Sequence, residues 1–146
     1  MALHDAVTLQ ASAAKTETGT GSTVTATSLT ERLVNRPYKG IAFILDVTAA
    51  ATDAGDTLDV QVQTQIDGTN WVPVVSFTQV LGNGGTVRHV AKVVRDVAQS
   101  MFEDSASLAA GSVRNLLGNT WRVKWTIADA GTDNASFTFS VVAVPQ

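Results

Sequence analysis

A nine-residue stretch in the first half of the chain alternates strictly between two kinds of side chain. In residues 58–66 the even positions are leucine, valine, valine, threonine and isoleucine, and the odd positions are one aspartate and three glutamines. Successive side chains of a β-strand point to opposite faces, so a period of two predicts a strand with one dry face and one wet face. Such strands bury their dry faces against a second layer, which favours a β-sandwich or a barrel.

The same alternation recurs near the end of the chain. Residues 121–127 place Trp121 and Trp125 on the apolar phase, and residues 137–141 alternate Phe, Phe and Val with Thr and Ser. We therefore expect both tryptophans to pack in the core. Residues 128–134 are rich in Asp, Gly and Asn, which favour turns, so the two strands are predicted to form a hairpin.

Three further strands are predicted between these runs. Residues 39–48 are the most apolar and are expected to form a central strand. Residues 71–80 contain Pro73, which cannot donate to a strand ladder and therefore indicates an edge or a bulge. Residues 67–70, with an Asp-Gly pair, should turn the chain tightly between the strand at 58–66 and this one. Residues 86–94 complete the set.

Together these strands predict an all-β fold, an antiparallel two-sheet β-sandwich, within a domain of residues 31–146. Residues 1–30 are rich in Ala, Thr and Ser and are predicted to be an extended N-terminal arm that orders against the domain or a neighbouring subunit. Residues 7–13 of the arm could form a strand. Residues 95–118 interrupt the strand rhythm and are interpreted as one long inserted loop, the kind of segment that often carries contacts.

Composition excludes several classes of function. The 146 residues carry 10 Lys and Arg against 13 Asp and Glu, so the net charge is −3 and no basic nucleic-acid footprint is present. There is no cysteine, which removes disulfides, thiolate metal sites and cysteine nucleophiles. No basic, apolar leader and no apolar run near the roughly 20 residues of a membrane helix is visible. We expect a protein of the cytoplasm, or one assembled there, with neither nucleic-acid nor membrane partners.

No motif supplies a catalytic centre. The P-loop, nucleophile-elbow and zinc-protease patterns are all absent, and no cofactor or metal site is expected. His89 lies in a predicted strand, where a lone histidine is usually half-buried and structural rather than a base or ligand. We therefore expect a protein that is not an enzyme.

One alternative from another class is a carbohydrate-binding β-sandwich. Trp71 follows a turn and is the tryptophan best placed to expose its ring to a sugar. Asp53, Asp56 and Asp59 could hold Ca²⁺ with loop carboxylates, although a solvated turn explains the same residues.

The order of segments resembles small β-rich virion proteins encoded in the structural gene clusters of tailed bacteriophages. Within that group it is most similar to head decoration (cement) proteins with a jelly-roll-like β-sandwich. The resemblance covers most of residues 40–80 and 119–144. The segments that carry it are the Ala/Thr-rich stretch 7–21, FILDVTAA (43–50), TLDVQVQ (57–63), DGTNW (67–71), FTQV (77–80), WRVKWTI (121–127) and ASFTFSV (135–141).

The resemblance implies a non-catalytic structural protein without a cofactor. It implies trimers on the exterior of a virion capsid, bound to the major capsid protein and assembled in the host cytoplasm. A protein that binds only the assembled lattice stabilises that lattice by linkage. A tail or head–tail joining protein with a similar sandwich is the alternative within the same class.

The predicted partner contacts lie in the arm and in the approach to the first central strand. This prediction rests on position along the chain and on exposed aromatic character. They are Leu3, His4 and Leu9 in the arm, and Leu29, Arg32, Arg36 and Tyr38 before the strand.

Overall fold

The computed structural model describes residues 6–25, 39–94, 101–104, 106–118, 120–131 and 133–146. These ranges hold eleven β-strands, and none of their residues is helical, so no helix there is long and apolar enough to cross a membrane. The strands are β1 (Val7–Lys15), β2 (Gly19–Thr20), β3 (Val24–Thr25), β4 (Gly40–Ala49), β5 (Thr57–Gln65), β6 (Trp71–Ser76), β7 (Val80–Leu81), β8 (Val87–Val94), β9 (Ser112–Val113), β10 (Thr120–Ala128) and β11 (Phe137–Pro145).

The strands form two antiparallel sheets. The first sheet has the order β1-β11-β4-β8. The second has the order β2-β10-β5-β6-β9, with β3 also paired to β10 and β7 also paired to β5. The prediction of an all-β, antiparallel two-sheet sandwich is confirmed.

The apolar phases of both sheets meet in one core. Side chains of β11 alternate between buried and partly exposed, as the period of two requires, and those of β5 do so except at Gln63, which is also buried. Trp121 of the second sheet packs against Phe43 of the first with ring centroids 5.5 Å apart. Trp125 meets Phe139 edge-on at 5.7 Å. The predicted core placement of both tryptophans is confirmed, and these aromatic pairs join the two layers.

Residues 67–70 form the tight turn that their sequence predicts. The carboxylate of Asp67 accepts hydrogen bonds from the backbone amides of Thr69 and Asn70 at 2.9 and 2.8 Å. Gly68 adopts a φ of 77°, which explains the Asp-Gly pair. Opposite Pro73 the ladder between β5 and β6 shifts register, so the predicted bulge is confirmed.

The predicted hairpin between the last two strands is wrong. β10 pairs with β5 along its whole length, in the second sheet, whereas β11 lies between β1 and β4 in the first. The turn residues at 128–134 therefore belong to an arch that crosses from one sheet to the other. Alternation shows which side chains are buried, but it does not show which strand is the neighbour.

Part of the predicted arm lies within the sandwich. β1 runs antiparallel to β11 from Val7 opposite Ala143 to Lys15 opposite Phe137, with two register shifts, which confirms a strand at 7–13. The segment after β1 is hydrogen-bonded to β10, because the indole N–H of Trp125 donates to the carbonyl of Glu17 at 2.8 Å. Residues 7–25 thus close one side of the sandwich.

Candidate interaction surfaces

Most of the predicted contact residues lie outside the described part of the chain. This holds for six of the seven: Leu3, His4, Leu29, Arg32, Arg36 and Tyr38. Leu9 is described, and it is only 4 % exposed because its side chain joins the core from β1. In this conformation Leu9 supports the sandwich from within.

The outermost strand of the first sheet, β8, presents an exposed face. Its side chains alternate so that Arg88, Val90 and Lys92 are exposed, while the side chains between them are buried or half-buried. Val90 is 67 % exposed. His89 is half-buried, as the sequence predicted.

Two grooves adjoin this strand. One, of about 290 Å³, lies between β8 and β9 and is lined by Val90, Lys92, Val113 and the end of β6. The other, of about 190 Å³, lies between β8 and the turn that follows β7. His89 lines both, so together they follow most of the length of β8.

One side chain, together with backbone hydrogen bonds from Gly111 and Arg114, holds the inserted loop on the second sheet. Arg114 donates from Nη1 to the carbonyl of Pro73 at 3.3 Å and from Nη2 to the carbonyl of Ala106 at 3.2 Å. Its guanidinium also lies over the ring of Phe102, 4.5 Å from the centroid. The short strand β9 pairs with β6 next to these contacts, which fixes one wall of the larger groove.

The ring of Trp71 is not a free platform. The guanidinium of Arg122 lies 4.2 Å from its centroid, and Nε of Arg122 donates to the side-chain oxygen of Gln63 at 2.8 Å. Partial burial in this stack lowers the pKa of Arg122. A sugar stacking on that face of Trp71 would have to displace the guanidinium.

The carboxylates considered for Ca²⁺ face different partners. Asp56 is 1 % exposed, and its Oδ1 accepts the backbone N–H of Ala130 at 2.9 Å. Asp59 accepts two contacts from the amide of Gln79, at 3.0 and 3.2 Å. Across the described ranges, no three His, Asp or Glu side chains converge as a cation site would require.

The chain was compared with protein-family models, with curated proteins and with solved structures, and none of the three comparisons found a match. The features that bear on its function are those of the chain itself: the exposed strand β8, the two grooves beside it and the loop held by Arg114. The sequence predicted the strand at 86–94 but did not indicate that it would be outermost. No sequence signal singled out Arg114 among the charged residues of the loop at 95–118.

Proposed function

We propose that this protein is a non-catalytic structural component of a tailed-phage virion, a decoration (cement) protein that binds and stabilises the outer capsid surface. The observation that carries the proposal is where the resembling segments fall in the fold. Residues 43–50, 57–63, 121–127 and 135–141 lie largely within β4, β5, β10 and β11, the inner strands of both sheets. The resemblance therefore concerns the framework of the domain.

The strand order supports a jelly-roll topology for this framework. If β2 and β3 count as one strand and the short β7 and β9 are set aside, eight main strands remain. When these eight strands are renumbered one to eight in chain order, the first sheet has the order 1-8-3-6 and the second has the order 2-7-4-5. Two Greek keys folded face to face produce this interleaving, and viral capsid and lectin domains both use it.

The mechanism in this proposal is mechanical. A protein whose binding surface is completed only by neighbouring subunits of a closed shell binds the shell and not the free subunit, and so shifts the equilibrium toward the shell. Trimeric association, which the resemblance implies, would let three modest contacts act together. Residues 1–5, which precede β1, and residues 26–38, before β4, are the segments proposed to reach the major capsid protein.

The test is the location and copy number of the chain in particles from its source. We expect gold-labelled antibody against the purified protein to decorate the whole head in electron micrographs, with many copies per particle. Light scattering should give the mass of three chains in solution. Label confined to a single vertex or to the tail would favour a tail or head–tail joining protein instead. Absence from particles, together with glycan-array binding lost in Trp71→Ala, would favour a carbohydrate-binding module.

The arm can be tested separately from the fold. Deletion of the whole arm, residues 1–30, would also remove strands β1, β2 and β3 from the sheets, so a loss of attachment could not be distinguished from a loss of stability. Deletion of residues 1–5 leaves β1 and its ladder with β11 intact. We expect this shorter deletion to weaken co-sedimentation with capsids while the unfolding midpoint stays that of the full chain. Unchanged co-sedimentation would remove residues 1–5 from the proposed contact.

A further inference from the structure

We propose that the outer edge of β8 binds an extended acidic segment of another protein, which adds a strand to the first sheet. The inference concerns the backbone of β8, its two exposed cations and the grooves beside it. It does not rest on the proposed function and would hold for any role of the domain.

Hydrogen-bond geometry identifies the backbone groups that face outward. Gly40 exchanges two backbone hydrogen bonds with Gln146, beside β11, so its polar groups point away from β8. Gly40 lies opposite Val94, and antiparallel ladders alternate bonded and non-bonded pairs. The N–H and C=O of Val94 therefore point outward, and so do those of Lys92, Val90 and Arg88, two residues apart along the strand.

One of these outward groups already has a partner. The amide of Val94 donates to the side-chain oxygen of Asn115 at 3.0 Å, which confirms the direction of the whole set. Among the described residues, the outward amides of Arg88, Val90 and Lys92 have no backbone acceptor. Asn115 thus marks the point at which an added strand would end.

The other sheet edges are poor templates for a new strand. β1, at the opposite edge of the first sheet, has two register shifts that break its regularity. The outer strands of the second sheet are β2, β3 and β9, each of two residues. In contrast, β8 pairs with β4 over eight residues with no register shift. Within the described ranges it is the one long, regular edge, which is the form that strand addition uses.

Charge determines the kind of strand that fits. Arg88 and Lys92 flank Val90 on the exposed face, in a chain whose net charge is −3. In a second copy paired antiparallel about Val90, Arg88 of one chain would lie opposite Lys92 of the other, and like charges directly opposite destabilise a sheet. A strand with carboxylates two residues either side of a small apolar residue would instead place opposite charges together.

The groove between β8 and β9 gives such a strand a place to lie. Val90 and Val113 line it, and both are exposed apolar side chains. Thr78, Ser112 and Lys92 also line it and supply polar groups. An added strand could therefore bury Val90 while its backbone pairs with β8.

A peptide titration followed by amide NMR tests the proposal. The probe is acetyl-Thr-Glu-Thr-Val-Thr-Glu-Thr-amide, whose sequence is symmetric and so presents Glu, Val and Glu in either direction. We expect it to shift the outward amides of β8 and to slow their hydrogen exchange. The same peptide with Lys in place of both Glu should bind at least about tenfold more weakly. N-methylation of its central Val, which blocks strand pairing, should abolish binding.

Variants of the protein separate charge from backbone. Arg88→Glu with Lys92→Glu should reverse the preference between the two peptides. Val90→Pro should abolish binding, because it removes an outward N–H while leaving the bonds to β4. Lys124→Glu, at an exposed cation on inner strand β10, is the matched control and should leave the affinity unchanged.

Several results would overturn the proposal. Equal binding of the Glu and Lys peptides, or binding that survives N-methylation, would exclude acidic strand addition. So would the absence of any shift at millimolar probe with the protein folded. Since the chain has no cysteine, Val90→Cys introduces a single thiol. Rapid formation of a disulfide dimer by this variant would identify a second copy as the occupant and refute the acidic partner.

Discussion

Replacement of Leu9 by alanine distinguishes a structural β1 from a detachable arm. Leu9 is 4 % exposed and belongs to the core cluster, whereas its neighbour Thr8 is exposed on the same strand. Leu→Ala in a core costs about 2–5 kcal/mol, the amount rising with the cavity left behind. β1 is an edge strand whose ladder shifts register at Leu9, between Thr8 and Gln10, and again between Gln10 and Ala13. The neighbours of Leu9 can therefore close in, and we expect a loss of about 2–3 kcal/mol.

Equilibrium unfolding in urea measures this loss. For a domain of this size, a slope of about 1–3 kcal/mol per molar converts the expected loss into a fall of about 0.7–3 M in the midpoint. Thr8→Ala is the control and should remain within about 0.5 kcal/mol of the original chain. If Leu9→Ala and Thr8→Ala unfold at the same midpoint, β1 does not share the cooperative core and the burial argument fails.

Three other predictions concern single side chains. The Gly111 amide donates to the carbonyl of Ser76 in the second sheet, and Arg114→Ala should speed its hydrogen exchange by at least about tenfold. An unchanged exchange rate would show that the Arg114 side chain does not hold the loop. Asp56→Ala should cost about 1–3 kcal/mol in thermal unfolding, because the buried Asp56 side chain no longer accepts the backbone N–H of Ala130, and Asp56→Asn should cost less; equal losses would exclude the hydrogen bond as the cause. The backbone N–H of Asn70 and then that of Thr69 lower the pKa of Asp67, so its carboxyl should titrate by NMR below the ordinary 3.8. The stabilisation by these hydrogen bonds is fully present above the ordinary pKa of 3.8 and is lost as the pH falls through the lowered pKa of Asp67. Asn70→Ala removes only the side-chain hydrogen bond, so the titration midpoint of Asp67 should rise part of the way towards 3.8.

The faces of the strands could be read from the sequence because burial acts on single residues. The alternation in 58–66 and 121–127 separated most core residues from surface residues, and the Asp-Gly pair at 67–70 correctly marked a tight turn. The alternation was wrong at two positions: Ile66, on the apolar phase, is 53 % exposed just after β5, and Gln63, on the polar phase, is buried. Each of these signals is local: a period of two, or a positive φ.

Neighbour relations could not be read, because they depend on segments far apart in the chain. Nothing within 128–134 distinguishes a hairpin from an arch between sheets, and the choice follows from β5 offering β10 nine paired positions. The same applies to Leu9, whose partner β11 lies at the other end of the sequence. The composition of residues 1–30 suited an arm, yet small Ala and Thr side chains also suit an edge strand that covers a core already filled by aromatic residues.

Cations on a strand edge have two physical interpretations, and the surroundings of β8 favour one of them. Natural sheets place Lys on exposed edges to prevent unwanted pairing, and Arg88 and Lys92 oppose self-pairing in this way. Protection alone, however, does not call for an exposed Val90 between the two charges or for a groove alongside. It also does not explain why the ladder of β8 stays regular, when the register shifts of β1 show that this fold can interrupt an edge ladder. An edge that repels its own copy while keeping its backbone and an apolar anchor accessible is selective, because the charges that exclude one partner attract the opposite one.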